Sequence, residues 1–312
     1  MQLRSKVVQP VARECKVMNT VQQPLPGVSW FDLADPASPD LNELAVRFHL
    51  HDLQVEDCRH RSQRAKVDEY ESYVFAVLKH VVPREQKLIF DDFDVFLGSN
   101  FLITVHQGEC PFLARVCQHM RQNRVDRLDR AFYVITDFIV DEYLALLDKS
   151  ADDIARLESQ VLHRPEPPVL HEIFRVKRRL IEFRRSVAGM RDAVNTIIRR
   201  EGGLISDDLD PYFRDVYDHL VRAVDLVEAH RDLLTGSLDI YLTAVANRTN
   251  EVMKVLTIYG TVAIPLVVIT GFFGMNLHLP WNNSPYGAWY VGGLMLLSMM
   301  LVLVYFKWRR WF

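Results

Sequence analysis

The hydrophobic pattern divides the chain into a mixed segment, a helical segment and a strongly apolar end. Over residues 28–107, four runs rich in Val, Ile, Phe and Tyr predict strands: VSWFDL, YESYVFAVLKHVV, KLIFDDFDVFLG and NFLITVH. The segments SPDLNELAVRFHL and LQVEDCRH, between the first two runs, and residues 111–123 predict short helices. We therefore predict an α+β domain over residues 1–125.

Beyond residue 125 the pattern becomes helical. Apolar residues recur every three or four positions over residues 130–162, which predicts a long amphipathic helix. The segment HRPEPP interrupts this pattern, because proline ends helices, and a second helix is predicted over residues 169–200. We assign residues 126–210 to a helical part of the same cytosolic region.

A third helix is predicted to begin at Asp210-Pro211. An acidic cap followed by proline at the first helical position favours a helix start. The sequence has no strong stop before Gly274, so residues 211–273 are predicted to form one helix roughly 95 Å long. Such a helix is too long for a globular core, and we interpret it as a stalk.

The last part of the chain is almost free of charged residues. From Val255 to Phe306 the sequence contains no Asp, Glu, Lys or Arg. Residues 255–273 and 288–306 are uncharged and mostly apolar, and each is close to the roughly 20 residues that a membrane-spanning helix needs. The stalk is thus predicted to continue into a first transmembrane helix, and residues 288–306 to form a second.

The flanking charges predict the orientation of this hairpin. Residues 274–287 contain neither Lys nor Arg, whereas five basic residues flank the two spans: Arg248, Lys254, Lys307, Arg309 and Arg310. Positive residues stay preferentially on the cytoplasmic side. We predict an integral protein of the plasma (inner) membrane with both termini cytoplasmic, an external loop at 274–287 and a basic cytosolic tail at 307–312.

Composition narrows the function classes. The chain has 312 residues and a formal net charge of −3, and its four cysteines form no CxxC pair that would indicate a zinc site. The first 18 residues lack the long apolar core of a signal peptide. Because the sequence shows no nucleophile–base constellation and no phosphate-binding loop, we predict neither an enzyme nor an organic cofactor.

The helix predicted at 169–200 is strongly basic, with nine basic residues against three acids. A basic stripe can bind nucleic acid. A solvated or ion-paired helix face is the commoner origin of such a composition, and the membrane hairpin also argues against nucleic acid. We predict no nucleic-acid partner.

The end of the stalk identifies a family. The segment SLDIYLTAVANRTNEVMKVLTIYGTVAIPLVVITGFFGMN resembles the stalk and first membrane helix of the CorA divalent-cation channels. A Gly-Met-Asn triad at a helix end, two C-terminal membrane helices and the basic tail KWRRWF form that family's signature. The resemblance implies a funnel-shaped homopentamer in the lipid membrane. Each subunit would contribute a cytosolic α/β/α domain, a pore-lining stalk helix and an outer helix.

The resemblance also implies passive uptake of Mg²⁺, often with Co²⁺ and Ni²⁺, through a filter and a gate. A divalent cation gains roughly 4.6 kcal/mol on crossing about 100 mV inward. Mg²⁺ keeps its water tightly, so a ring of neutral Asn276 amides could hold the hydrated ion. The filter residues are Gly274, Met275 and Asn276, and the pore or gate positions, read partly from helical spacing, are Asn250, Met253, Leu256, Gly260 and Ile264.

Gating in the family depends on Mg²⁺ bound between cytosolic domains. The resemblance places Glu56 and Asp57 on one subunit opposite Asp215 and His219 of the next, and Asp239 at a second acidic stalk position. Facing carboxylates repel unless a cation joins them, so low cytosolic Mg²⁺ would loosen the ring and open the pore. Ordinary surface acids are the alternative, just as Met253 and Leu256 could simply face other helices.

Two other functions stay open from the sequence. A Zn²⁺ transporter of the related ZntB type is compatible with a loop that lacks acids, although that branch tends to replace the Met of the triad and Met275 is present here. A membrane-anchored regulatory protein without conduction is the other alternative. It predicts that a change at Asn276 leaves ion uptake untouched.

Overall fold

The computed structural model describes residues 29–84, 87–108, 110–163, 165–200, 202–275, 285–309 and 311. Its elements are β1 (Ser29–Leu33), α1 (Pro39–Phe48), α2 (Asp52–Arg59), β2 (Lys66–Glu69), β3 (Tyr73–Arg84), β4 (Lys87–Gly98), β5 (Phe101–Val105), α3 (Pro111–Gln122), α4 (Leu128–His163), α5 (Pro167–Arg199), α6 (Asp210–Phe273) and α7 (Gly287–Trp308). The four predicted strands and the predicted helices are confirmed to within a few residues. Strand β2 was not predicted.

The five strands form one mixed sheet in the order β1-β5-β4-β3-β2. β1 runs parallel to β5, and the other neighbours are antiparallel. β4 pairs with β3 along its whole length but with β5 only over Asp94–Leu97, so the far end of the β3–β4 hairpin projects beyond the sheet.

β2 lies at the sheet edge, where its four residues pair with β3 from Lys66–Val77 to Glu69–Val74. Its sequence KVDE contains three charged residues, which is why apolar patterning did not reveal it. Edge strands commonly carry charged residues, because these discourage pairing with another chain. The backbone of β3 therefore specifies this strand more than its own side chains do.

Helices cover both faces of the sheet. On one face Phe75, Phe96 and Ile103 form a buried core with residues of α1 and α2. Alternate strand residues point to opposite faces, and on the other face Phe93 contacts Phe112 of α3 with ring centroids 5.2 Å apart. Burial on both faces explains the nearly continuous apolar runs in β3 and β5, and the arrangement is the predicted α/β/α domain.

A buried ionic group anchors the loop before β2. Lys79 pairs with Asp92, and the Oδ2 atom of Asp92 accepts the backbone N–H of Ser62 at 2.8 Å and that of Gln63 at 2.9 Å. Arg61 binds Asp91 at 3.0 Å. Because buried charges are costly unless paired, this group holds residues 61–63 against β4.

The chain forms two compact units: residues 1–160 with 166–237, and residues 161–165 with 238–312. In the first unit the start of α6 packs against α4, and the Phe132 and Phe213 rings lie 6.0 Å apart. The second unit contains the end of α6 and all of α7. Phe306 is buried there and stacks on Trp311 at 5.2 Å.

Candidate functional site

The end of α6 and most of α7 are apolar and exposed. Both helices are long and apolar enough to cross a membrane. Side chains such as Leu256 and Leu301 are 64% and 63% exposed in the single chain. An apolar surface of this extent is typical of a protein that contacts lipid or other subunits. The chain is accordingly a membrane protein, as its charge-free end predicts.

The five predicted pore positions share one side of α6. At about 100° per residue, Asn250, Met253, Leu256, Gly260 and Ile264 fall within an arc of roughly 120°. Asn250 and the three large apolar residues are exposed, and Gly260 is half-buried. A continuous exposed stripe of this kind is available to other copies of the chain. The pore assignment itself stays a prediction.

The backbone at the predicted filter closes α6. The N–H of Gly274 donates to the carbonyl of Thr270 at 2.9 Å, and the N–H of Met275 donates to that of Phe272 at 3.3 Å. A Cβ atom at position 274 would lie 3.0 Å from the Thr270 oxygen, so glycine permits this close approach. Asn276, the main filter residue of the prediction, lies outside the described residues.

The predicted acids on α2 have different partners. The carboxylate of Glu56 is exposed and lies 3.6 Å from the His60 imidazole. Asp57 instead binds the Lys66 ammonium at 2.9 Å, and Lys66 also contacts Asp68 at 3.0 Å. Within one subunit Asp57 is therefore already neutralised, whereas Glu56 is the more available of the two for a cation.

The predicted acids on the stalk also differ in their surroundings. Asp215 and His219 lie one turn apart on α6, with Oδ2 and Nε2 4.0 Å apart. Asp239 is exposed further along α6, where its backbone carbonyl accepts the Thr243 hydroxyl. Asp215 and His219 thus face a common region, and Asp239 stays a separate prediction.

Two acids that the sequence analysis missed join His219. Asp137 and Asp141 lie one turn apart on α4, and one ligand atom from each can lie within 4.8 Å of the others and of His219. Carboxylate oxygens suit Mg²⁺, and an added imidazole also suits transition metals. Their four-residue spacing within the apolar stretch FYVITDFIVDEYL was the available signal, but only the fold shows which helix they face.

The electrostatics of this group favour a cation. Burial is the largest cause that raises the pKa of Asp137 to about 6, and the nearby charge of Asp141 raises it further. Asp215 acts in the same direction, whereas His219 and a hydrogen bond with Tyr133 oppose the rise. The charges of Asp141 and Asp215 therefore disfavour the ionisation of Asp137, and a bound divalent cation would relieve that repulsion. We name Asp137, Asp141, Asp215 and His219 the α4–α6 acidic group.

Comparisons with known proteins agree with these features. The model of the family "CorA-like Mg2+ transporter protein" matches residues 26–309. The cobalt/magnesium transport protein CorA of Thermotoga maritima is 36% identical over 271 residues, which cover 85% of this chain and 77% of that protein. The structure of the CorA magnesium transporter from Methanocaldococcus jannaschii is similar with a TM-score of 0.82, at 24% identity over 90% of each chain.

A more distant likeness concerns the fold alone. The cytoplasmic domain of ZntB from Vibrio parahaemolyticus matches with a TM-score of 0.62, at 12% identity, over 72% of this chain and 90% of that one. The family match, in contrast, extends through the stalk and both membrane helices. The chain belongs to the CorA-like Mg²⁺ transporter family.

Proposed function

We propose that this chain is one subunit of a channel for divalent cations that admits Mg²⁺, with Co²⁺ or Ni²⁺ as further cargo, down the electrochemical gradient. The observation that carries the proposal is the charge-free end of the chain, folded as two exposed apolar helices in a member of this family. The relative from Thermotoga maritima is a cobalt/magnesium transport protein, which supports the choice of cargo. The protein acts as a transporter and not as an enzyme.

Two helices cannot enclose a water-filled path, so conduction requires a ring of subunits. A homopentamer is the assembly that the family resemblance implies. The stripe from Asn250 to Ile264 would line its pore, because it lies on one side of α6 and is exposed in the single chain. The opposite side of α6 and the apolar surface of α7 would then contact neighbouring helices and lipid.

The filter would select a hydrated ion. No carboxylate occurs between Val255 and Phe306, so the pore offers neutral oxygens and not charges. Gly274 allows a close backbone approach at the helix end, immediately before Asn276. A ring of Asn276 amides could hydrogen-bond the waters of Mg²⁺, which gives up those waters reluctantly.

Closure would combine a hydrophobic ring with a regulatory cation. Met253 and Leu256 would block ions by dewetting the narrow pore. Mg²⁺ bound at the α4–α6 acidic group, together with Glu56 of the next subunit, would join carboxylates that otherwise repel. Loss of that ion would loosen the ring, so the channel would open when cytosolic Mg²⁺ is low.

Zinc transport is the second candidate, and one observation favours it. His219 belongs to the acidic group, and imidazole nitrogen is a better ligand for Zn²⁺ than for Mg²⁺. Met275 in the triad argues for the Mg²⁺ branch. Because the regulatory ion and the transported ion need not be the same, a measurement of ion flux is needed to distinguish Zn²⁺ transport from Mg²⁺ transport.

The deciding experiment measures ion entry into proteoliposomes that contain the full-length protein. Wild type should show potential-driven Mg²⁺ influx, and Asn276→Ala should reduce it to near the protein-free background, because the neutral ring is lost. Ser298→Ala on α7, a polar-to-apolar change outside the filter and the predicted pore positions, is the control and should leave influx unchanged. Equal influx with and without the Asn276 amide would contradict the filter. Influx of Zn²⁺ alone would favour the second candidate, and no influx of any ion would favour a non-conducting anchor.

A further inference from the structure

Two pairs of basic residues on α5 have different surroundings. Arg184 pairs with Glu228, and the Lys177 ammonium donates to the Thr235 hydroxyl at 3.2 Å, so both contact α6. Arg178 and Arg185 form no ion pair with any described residue.

The unpaired set lines a cavity of about 920 Å³. The cavity lies within the first compact unit, and its lining includes Ser62 of the loop before β2, Phe90 on the projecting part of β4, and Phe174, Arg178, Arg179 and Arg185 of α5. Arg175, Arg178, Glu182 and Arg185 of the lining recur at intervals of three and four along α5, so they share one helix face. The buried Lys79–Asp92 group holds the loop that contributes Ser62 to the lining.

The cavity is strongly positive. Its lining holds four arginines against one acid, Glu182. Among the described residues, Arg175 is the one arginine of the four that pairs with a carboxylate, that of Glu172. The Nε atom of Arg179 is buried without a hydrogen-bond partner among the described residues. A buried unsatisfied donor is costly, and a ligand oxygen would satisfy it. Planar guanidinium groups match phosphate oxygens particularly well.

We propose that this cavity binds a nucleoside polyphosphate. The phosphates would contact Arg178, Arg179 and Arg185, and the base would pack on Phe174, whose ring is 49% exposed at the wall. The volume lies in the usual range for organic ligands and exceeds what an inorganic phosphate fills. Binding here is independent of which ion the protein carries.

Calorimetric titration of the full-length protein in detergent with ATP tests the proposal, in EDTA so that metal chelation does not contribute. We expect one saturable site per chain whose affinity falls as NaCl rises. Arg178→Gln together with Arg185→Gln should weaken ATP at least about tenfold, because charge-assisted hydrogen bonds are lost. Arg184→Gln is the matched control on the same helix and should leave ATP binding unchanged.

Two further arms separate the sources of phosphate. Phe174→Ala should weaken ATP but leave tripolyphosphate unaffected, since only the base contacts the ring. Equal loss for both ligands would overturn the nucleotide assignment, and so would a loss in Arg184→Gln as large as in the double variant. Absence of saturable ATP binding would also overturn it. ATP binding that is present in phosphatidylcholine nanodiscs but lost in phosphatidylglycerol nanodiscs would overturn it in favour of a lipid headgroup.

Discussion

The two halves of α6 have the same backbone conformation and opposite surroundings. From Asp210 to Ser237 buried residues recur at intervals of three and four, among them Phe213, Leu220 and Val227. From Leu242 to Phe273, a fully described stretch, no residue is buried in the single chain. Helical geometry alone therefore specifies no environment. Burial in the first half comes from packing against α4 and α5, whereas the apolar surface of the second half stays exposed in the single chain.

The largest expected effect tests the packed half. Phe213→Ala removes a fully buried ring that contacts Phe132 and Tyr133. We expect a loss of about 3–5 kcal/mol in the free energy of unfolding, the usual result of a large-to-small change in a core. Phe272→Ala in the exposed half should cost less than about 0.5 kcal/mol. Denaturant unfolding followed by circular dichroism measures both, and equal losses would contradict the comparison.

The second effect tests the exposed half as a pore. Leu256→Ser should raise Mg²⁺ influx several-fold at a Mg²⁺ concentration that closes the wild type, because a hydroxyl ring no longer dewets the constriction. Leu301→Ser on α7 is the matched control, since the two leucines are equally exposed in the single chain. If Leu301→Ser raised the influx as much, the assignment of the pore-facing side would be wrong.

A smaller effect is expected at the α4–α6 acidic group, which includes Asp215 and His219 of the packed half of α6. Asp137→Asn removes one carboxylate of the group while it keeps the side-chain shape. The Mg²⁺ concentration that protects the protein from trypsin should rise about tenfold, the equivalent of about 1.4 kcal/mol. Asp153→Asn, an acid of α4 that pairs with Arg156, should leave protection unchanged. Unaltered protection in Asp137→Asn would remove Asp137 from the proposed regulatory site.

The smallest expected effect is the pH dependence of protein stability that Asp137 causes when no metal is bound. The pKa of Asp137 is raised to about 6 from the unfolded value of 3.8. Between these values the folded state binds the proton more tightly, so the contribution of Asp137 to stability falls as pH rises from about 4 to 6. In EDTA, Asp137→Asn should therefore show a shallower decline over that window than Asp153→Asn. Identical slopes would show that Asp137 titrates normally.

Much of the fold followed from local patterns. The strand runs, the long helices and the charge-free spans each depend on neighbouring residues, so periodicity and charge revealed them. Local patterns did not reveal β2, because a charged edge strand is specified by the strand with which it pairs. The filter assignment at Gly274, Met275 and Asn276 depended on a motif of adjacent residues, and it stays a prediction.

Charge along the chain was enough to predict the two membrane helices, since a charge-free stretch as long as residues 255–306 is not expected in a water-soluble domain. Only the tertiary structure brought Asp141 next to His219, which lies 78 positions later in the chain (219 − 141). It also decided which arginines of α5 pair with α6 and which line a cavity. The physical reason is that charge and periodicity are local, whereas metal groups and cavities depend on helices that meet from distant parts of the chain.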